Sequence, residues 1–149
     1  MPLGLLLGRM FSPEFYVSSV QVLSAKDTKL GREVAIKVLP EVFADNPERL
    51  ARFRREAQLL ASLNHPNIAG YKEAFLEEST STLCIVMEYA DGGDLQSKIN
   101  DRKKNSNFMK ETEIWSIFYQ MVTGLNYLHN KKIVHRDIKN ANVFLTRDG

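Results

Sequence analysis

A chain of 149 residues is long enough to bury a hydrophobic core, and its 44% hydrophobic and 26% charged residues are typical of a folded protein rather than a disordered one. Twenty basic against eighteen acidic residues leave a net charge of +2, which argues against a nucleic-acid-binding surface. The single cysteine, Cys84, excludes an internal disulfide and is typical of a reducing compartment such as the cytoplasm.

The N-terminal leader, residues 1–14, contains only a short apolar run, and no basic segment precedes that run. This pattern does not predict a signal peptide, and no later stretch approaches the roughly 20 apolar residues that span a bilayer. The sequence therefore predicts a soluble, intracellular protein that binds neither membrane nor nucleic acid.

Residues 16–39 predict two antiparallel strands, "SVQVLSA" and "REVAIKVL", with Gly31 in the turn between them. A helix follows, for which Asn46 is a good N-cap and Pro47 a good first residue. Its apolar residues recur at helical spacing and define one buried stripe: Leu50, Phe53, Ala57, Leu60 and Leu63. Glu56 projects from the same side, where a carboxylate needs a partner.

Two further strands, "NIAGYKEAF" and "LCIVMEY", and two helices follow. The first helix is short and starts after Gly92 and Gly93. The second, "EIWSIFYQMVTGLNYLH", is amphipathic. Its predicted inner face consists of Ile114, Trp115, Phe118, Val122, Leu125 and Leu128. Because strands and one helix come first and helices later, the sequence predicts an α+β fold with two unequal lobes.

The segment "VAIK" places Ala35 and Lys37 on one face of a strand. A small residue beside a lysine would let a flat ring pack closely while the ammonium reaches phosphate groups. The ordinary alternative is a lysine on an exposed strand edge. If the helix packs on the sheet, Glu56 meets Lys37, either to hold the lysine toward a ligand or as a salt bridge with a structural role only.

The stretch "HRDIKNAN", residues 135–142, is the most specific in the chain. Together with "VAIK", Glu56 and "VMEYADGGDL", it occurs in an order that resembles the eukaryotic-type protein kinases. The lysine two positions after Asp137 resembles the serine/threonine branch. "HRDIKNANVFLT" is similar to the NIMA-related kinases, whereas residues 32–69 resemble bacterial members of the superfamily, so the subfamily stays open.

The resemblance covers residues 20–149 and implies a protein-kinase fold. A small lobe with an antiparallel sheet and one helix is expected at residues 15–89. The first part of a mainly helical lobe, ending after the catalytic loop, is expected at residues 90–149. The resemblance also implies ATP and Mg²⁺ as ligands and a protein as the substrate.

The resemblance assigns catalytic roles to three residues of the 135–142 loop. Asp137 would accept or orient the proton of a substrate hydroxyl, Lys139 would offset charge on the γ-phosphate, and Asn142 would be a Mg²⁺ ligand. His135 would pack the loop rather than act in catalysis or bind metal. The residues that the resemblance places around ATP are Val22, Ala35, Lys37, Glu56, Met87, Glu88, Ala90 and Asp94.

These eight residues would each meet a different part of the nucleotide. Val22 and Ala35 would border the adenine and Met87 would guard the back of its pocket. The backbone from Glu88 to Ala90 would face the base. Asp94 would reach the ribose, and Lys37, held by Glu56, would reach the α- and β-phosphates.

The sequence departs from the family's pattern in two places. The positions of three phosphate-covering glycines hold Phe15, Val17 and Val20, whose side chains favour an extended strand and a poor grip on phosphate. The Asp-Phe-Gly motif is expected beyond Gly149, together with helices on which the long helix would pack. We therefore expect negligible catalysis by this chain alone and an exposed apolar helix face that promotes self-association or recruits a partner.

Three interpretations follow. The first is an incomplete catalytic domain of an ATP-dependent protein serine/threonine kinase. The second is a non-catalytic, pseudokinase-like module that binds nucleotide or a partner protein. The third is an incomplete gene product without independent function.

Overall fold

A computed structural model describes residues 3–5, 21–39 and 47–147 of the chain. These residues form two compact units. The sheet unit comprises residues 21–39, 47–64 and 70–89, and the helical unit comprises residues 3–5, 65–69 and 90–147. The expectations for Phe15, Val17, Val20 and the N-cap Asn46 lie outside the described residues.

The first described element is a short strand of the helical unit, β1 (Leu3–Leu5). The sheet unit follows with β2 (Gln21–Asp27) and β3 (Arg32–Leu39), which confirm the two predicted antiparallel strands. Gly31 in the turn between them has a φ of +67°, a conformation that favours glycine. The predicted turn is therefore confirmed as well.

The remaining elements of the sheet unit are helix α1 (Pro47–Ala61) and the strands β4 (Tyr71–Glu77) and β5 (Thr82–Glu88). All neighbouring strands are antiparallel, in the order β2-β3-β5-β4, so β3 and β5 are the central strands. Four residues of the predicted α1 stripe are buried: Phe53, Ala57, Leu60 and Leu63. The α+β fold predicted from the sequence is confirmed.

The helical unit contains α2 (Leu95–Lys104), α3 (Glu111–Asn130), a 3₁₀ turn (Asn140–Asn142) and β6 (Val143–Leu145). Its core consists of Leu95, Ile117, Val143 and Leu145, against which Ile99, Met109, Met121 and Leu125 pack. This core joins both helices to the strand that follows the 135–142 loop.

Among the described helices, none has the length and the apolar composition of a membrane span.

The predicted inner face of α3 is wrong for most of its residues. Ile114, Trp115, Phe118 and Val122 are 44% to 60% exposed. The side that faces the core carries Ile117, Gly124 and Leu128, with Met121 and Leu125 half-buried. The helix is apolar on two sides, so its periodicity alone does not select the buried one. The expectation that α3 exposes apolar surface is confirmed.

Candidate active site

Lys37 lies in the central strand β3 and is only 5% exposed. The alternative of a lysine on an exposed strand edge is therefore wrong. Glu56 on α1 is the carboxylate near it: burial raises the pKa of Glu56 to about 7, and the positive charge of Lys37 opposes that rise. The two predicted partners are thus brought together within the sheet unit, and Glu56 titrates close to neutral pH.

The other predicted adenine-contacting residues of the sheet unit lie around this lysine in the strand register. Val22 on β2 is opposite Lys37, and Ala35 on β3 is opposite Met87 on β5. Ala35 and Met87 are buried, whereas Val22 is 50% exposed. The structure therefore places a small residue and a large flexible one side by side, and leaves Val22 accessible.

Glu88 at the end of β5 is held by a reciprocal pair of hydrogen bonds with Gly70. Its N–H donates to the Gly70 carbonyl at 2.8 Å, and its Oε2 accepts from the Gly70 N–H at 3.2 Å. The backbone N–H of Glu88 is therefore committed within the sheet unit. Only its carbonyl could serve the base-binding role that the sequence predicts for this residue.

Ala90 and Asp94 belong to the helical unit. Ala90 is half-buried, and Asp94 is the N-cap of α2, where its two carboxylate oxygens accept from the N–H of Ser97 at 2.8 Å and from the Ser97 hydroxyl at 2.7 Å. Although partial burial raises the pKa of Asp94, the hydrogen bonds from Ser97 hold it below its usual value. The predicted ribose ligand is thus also a helix cap, a role that an aspartate directly before the first residue of a helix indicates.

The structure brings the three predicted catalytic residues together in one small cluster. The side-chain amide of Asn142 donates to the Asp137 carbonyl and to Asp137 Oδ2, both at 2.8 Å. Lys139 Nζ lies 3.2 Å from the same Oδ2. The carboxylate of Asp137 is 20% exposed and the lysine side chain 51%, so the cluster is accessible from solvent.

The backbone of the 135–142 loop is shaped around a buried histidine. His135 is 1% exposed, and its Nδ1 accepts from the Asp137 N–H at 3.3 Å. Arg136 between them has a φ of +65°, which is uncommon for a residue other than glycine. The Asn142 N–H donates to the Lys139 carbonyl at 2.9 Å and closes the 3₁₀ turn. His135 therefore packs the loop, as expected.

The donor atoms of the cluster suit a magnesium ion in kind. Asn142 directs its amide nitrogen toward Asp137, which leaves Oδ1 as its possible metal ligand, and amide and carboxylate oxygens are the ligands that Mg²⁺ prefers. Among the residues that the structure describes, no group of three or more histidine, cysteine or acidic side chains could hold a metal.

Asn67 is a structural residue whose contacts the sequence did not indicate. It is 8% exposed and fastens residues 65–69 to α3: its side-chain nitrogen donates to Gln120 Oε1 at 3.0 Å, and its side-chain oxygen accepts from the Thr123 hydroxyl at 3.0 Å. His65 adds a ring contact with Tyr127, with centroids 5.0 Å apart. These partners are more than fifty residues away from Asn67 along the chain, so no local sequence pattern indicates the contacts.

The sequence profile of the protein kinase domain matches residues 18–149, which is most of the chain. The chain belongs to the protein kinase family. It is 43% identical over 124 residues to the serine/threonine-protein kinase Nek1 of Mus musculus, and 38% identical over 129 residues to Nek11 of Homo sapiens. It is also 42% identical over 149 residues to the probable serine/threonine-protein kinase SCO3848 of Streptomyces coelicolor.

These matches cover 83%, 85% and 99% of this kinase chain, but only 10%, 19% and 20% of the three relatives. The resemblance to the serine/threonine branch and to NIMA-related kinases is confirmed. The bacterial relative matches as well, which agrees with the mixed resemblance of the sequence. By family, the chain is a serine/threonine-protein kinase sequence.

Proposed function

We propose that the protein to which this kinase sequence belongs transfers the γ-phosphoryl group of MgATP to serine or threonine hydroxyls of proteins. The observation that carries this proposal is the cluster of Asp137, Lys139 and Asn142, in which one carboxylate oxygen accepts from an amide at 2.8 Å and lies 3.2 Å from an ammonium. Phosphoryl transfer needs a positioned proton acceptor and cations beside the moving phosphoryl group.

The geometry of the cluster supports distinct roles for its members. Asn142 fixes the carboxylate of Asp137, so that an oxygen can face the hydroxyl of a substrate and accept its proton. Lys139 is half-exposed and carries a positive charge that would stabilise the negative charge on the transferred group. Bound Mg²⁺, held in part by Asn142, would neutralise charge on the phosphates.

Within the sheet unit, the proposed ligand of the α- and β-phosphates is Lys37. A buried ammonium is costly unless a counter-charge is near, and Glu56 supplies one. Burial raises the pKa of Glu56 and so weakens this carboxyl as a counter-charge, which the positive charge of Lys37 opposes. An anionic phosphate would be a further counter-charge for Lys37.

Nucleotide binding is tested by thermal shift of the 149-residue chain with ATP, with and without Mg²⁺, because a ligand of the native state raises the melting temperature. Lys37→Met should abolish the shift, whereas Lys72→Met, at an exposed position of β4, should retain it. An unchanged shift in Lys37→Met would contradict the role of Lys37.

Transfer is tested separately, by phosphorylation of a serine/threonine peptide mixture. The chain alone should show negligible turnover, and a longer form that contains a complete kinase domain should show turnover that Asp137→Asn abolishes. Asp101→Asn, at an exposed position of α2, is the matched control and should retain it. Equal activity of Asp137→Asn and the wild type would refute the proposed role of Asp137.

The second candidate function is nucleotide binding without transfer. It is favoured by the bulky residues Phe15, Val17 and Val20 at positions where the family has glycines. A thermal shift with ATP combined with no turnover in the longer form would support this alternative and reject the kinase reaction.

A further inference from the structure

Strand β6 is paired along both of its edges. On one edge, the N–H of Leu145 donates to the Gly93 carbonyl at 2.8 Å, and the N–H of Gly92 donates to the Leu145 carbonyl at 2.7 Å. On the other edge lies β1, antiparallel to β6, with Gly4 opposite Phe144. Strand β6 is therefore the middle strand of a small ladder, and it begins directly after Asn142.

The alternation of an extended backbone shows which groups meet β1. The N–H and C=O of one residue point to the same edge of a strand, and those of the next residue point to the opposite edge. Leu145 uses both of its groups toward Gly92 and Gly93, so Phe144 directs both toward β1, where Gly4 is its partner. By the same alternation, the N–H of Leu5 points away from β6.

We propose that β1 is a positioning element of the candidate catalytic loop. The backbone pair of Gly4 and Phe144 holds β6 in place along the sheet, and β6 holds Asn142 in the orientation that fixes Asp137. The role of this contact in catalysis rests on the proposed function of the loop. The pairing of β1 with β6 is independent of that function and can be measured without any assay of activity.

The side chains of β6 do not provide the same restraint. Val143 and Leu145 are 0% and 2% exposed and pack in the core with Leu95 and Ile117. Such packing opposes a one-residue slip of β6, because a slip would move Val143 and Leu145 out of the core, whereas the hydrogen bonds along the two edges hold the backbone of the strand against fraying. Loss of one of the two edges would therefore let β6 fray next to Asn142.

The test is residue-resolved amide hydrogen exchange of the 149-residue chain by NMR. Gly4→Pro removes the N–H that faces Phe144, whereas Leu5→Pro removes an N–H that points away from β6 and serves as the matched control. Gly4→Ala retains the N–H and controls for loss of the glycine. The signals of the Asn142 side-chain amide report directly on its bonds to Asp137.

In Gly4→Pro, exchange of the Phe144 amide should rise by at least about tenfold, while that of the Leu145 amide, bonded to Gly93, should change by less than about twofold. The Asn142 side-chain signals should shift or broaden. Leu5→Pro and Gly4→Ala should resemble the wild type.

Three results would overturn the inference: rapid exchange of Phe144 in the wild type, unchanged exchange in Gly4→Pro, or equal effects of the two proline variants. If Gly4→Pro unfolds the whole helical unit, deletion of residues 1–5 takes its place with the same comparison of Phe144 and Leu145. Failure of the kinase reaction would leave this exchange pattern intact, so the two proposals fail separately.

Discussion

The side-chain amide of Asn142 donates to both the carbonyl and the carboxylate of Asp137, each at 2.8 Å. One amide thereby fixes the backbone and the side chain of the proposed proton acceptor. This double contact closes the 135–142 loop on itself, so the cluster depends on an amide rather than an acid at position 142.

Asn142→Asp should therefore destabilise the chain in a pH-dependent way. Two neighbouring carboxylates repel each other once both are ionised, so the stability of this variant falls as pH rises above about 4. At pH 7 the free energy of unfolding should fall by about 1 to 3 kcal/mol more than in Asn142→Ala, and near pH 3 the two variants should converge. Urea denaturation at both pH values measures the difference, and a gap independent of pH would contradict it.

Glu56→Gln should change the pH dependence of stability in the sheet unit. Burial raises the folded-state pKa of Glu56 from 4.5 to about 7, so the folded state holds a proton that the unfolded state has released between these values. The stability that comes from protonated Glu56 in the folded state is fully present below pH 4.5 and is lost as pH rises through about 7. The loss amounts to at most roughly 3 kcal/mol.

Melting temperatures from pH 4.5 to 7.5 measure this slope. In Glu56→Gln, the melting temperature should lack the part of this pH dependence that Glu56 causes. Glu73→Gln, at an exposed position of β4, should keep the pH dependence of the wild type. Parallel curves for the wild type and Glu56→Gln would show that the carboxyl of Glu56 is ionised across the whole range.

Asn67→Ala should cost about 2 to 3 kcal/mol of unfolding free energy, because it removes two hydrogen bonds at a buried position and leaves the partner groups on α3 without them. Asn126→Ala, at an exposed position of the same helix, is the matched control and should be nearly neutral. Urea denaturation of both variants gives the comparison. Equal costs would mean that residues 65–69 are held by other contacts.

Gly92→Ala should be more harmful than Gly93→Ala. A Cβ on Gly92 would come within 2.6 Å of the Leu145 carbonyl oxygen, a backbone atom of β6 that cannot move aside cheaply. Gly93 has a φ of +72° but open space around it, so alanine there costs only about 1 to 2 kcal/mol of backbone strain. A Gly92→Ala variant as stable as Gly93→Ala would show that the ladder around β6 adapts easily.

The strands and α1 could be predicted from the sequence because each has one dominant periodicity and its own turn or cap residue. Gly31 stands where a positive φ is needed, Pro47 opens α1, and the α1 stripe repeats at helical spacing. The approach of Lys37 to Glu56 could be predicted only with the family resemblance, since it depends on how a helix packs on a sheet.

Other features lay outside what the sequence shows. The buried side of α3 could not be chosen because both Ile117 and Phe118 lie on apolar faces. The bonds of Asn67 to α3, and the pairing of β1 with β6, join residues that are far apart in the sequence. Such contacts leave no pattern in the local sequence. The N-cap role of Asp94 does leave one, because an aspartate stands directly before the first residue of α2.

The exposed face of α3 should drive association of the chain in solution. Trp115 and Phe118 are 60% and 54% exposed and contact each other edge to face, with centroids 5.8 Å apart, and Tyr119 beside them is 70% exposed. Neighbouring large apolar side chains of this kind commonly form an interface. Phe118→Lys should therefore shift the chain toward the monomer.

Sedimentation velocity over a range of protein concentrations measures this shift. Thr112→Lys adds the same charge at an exposed polar position of α3 and should associate like the wild type, which separates the loss of apolar surface from the change in net charge. If both lysine variants become monomeric to the same extent, charge repulsion rather than the aromatic face controls association. If the wild type is monomeric at every concentration, the apolar face of α3 does not bind a second copy of the chain.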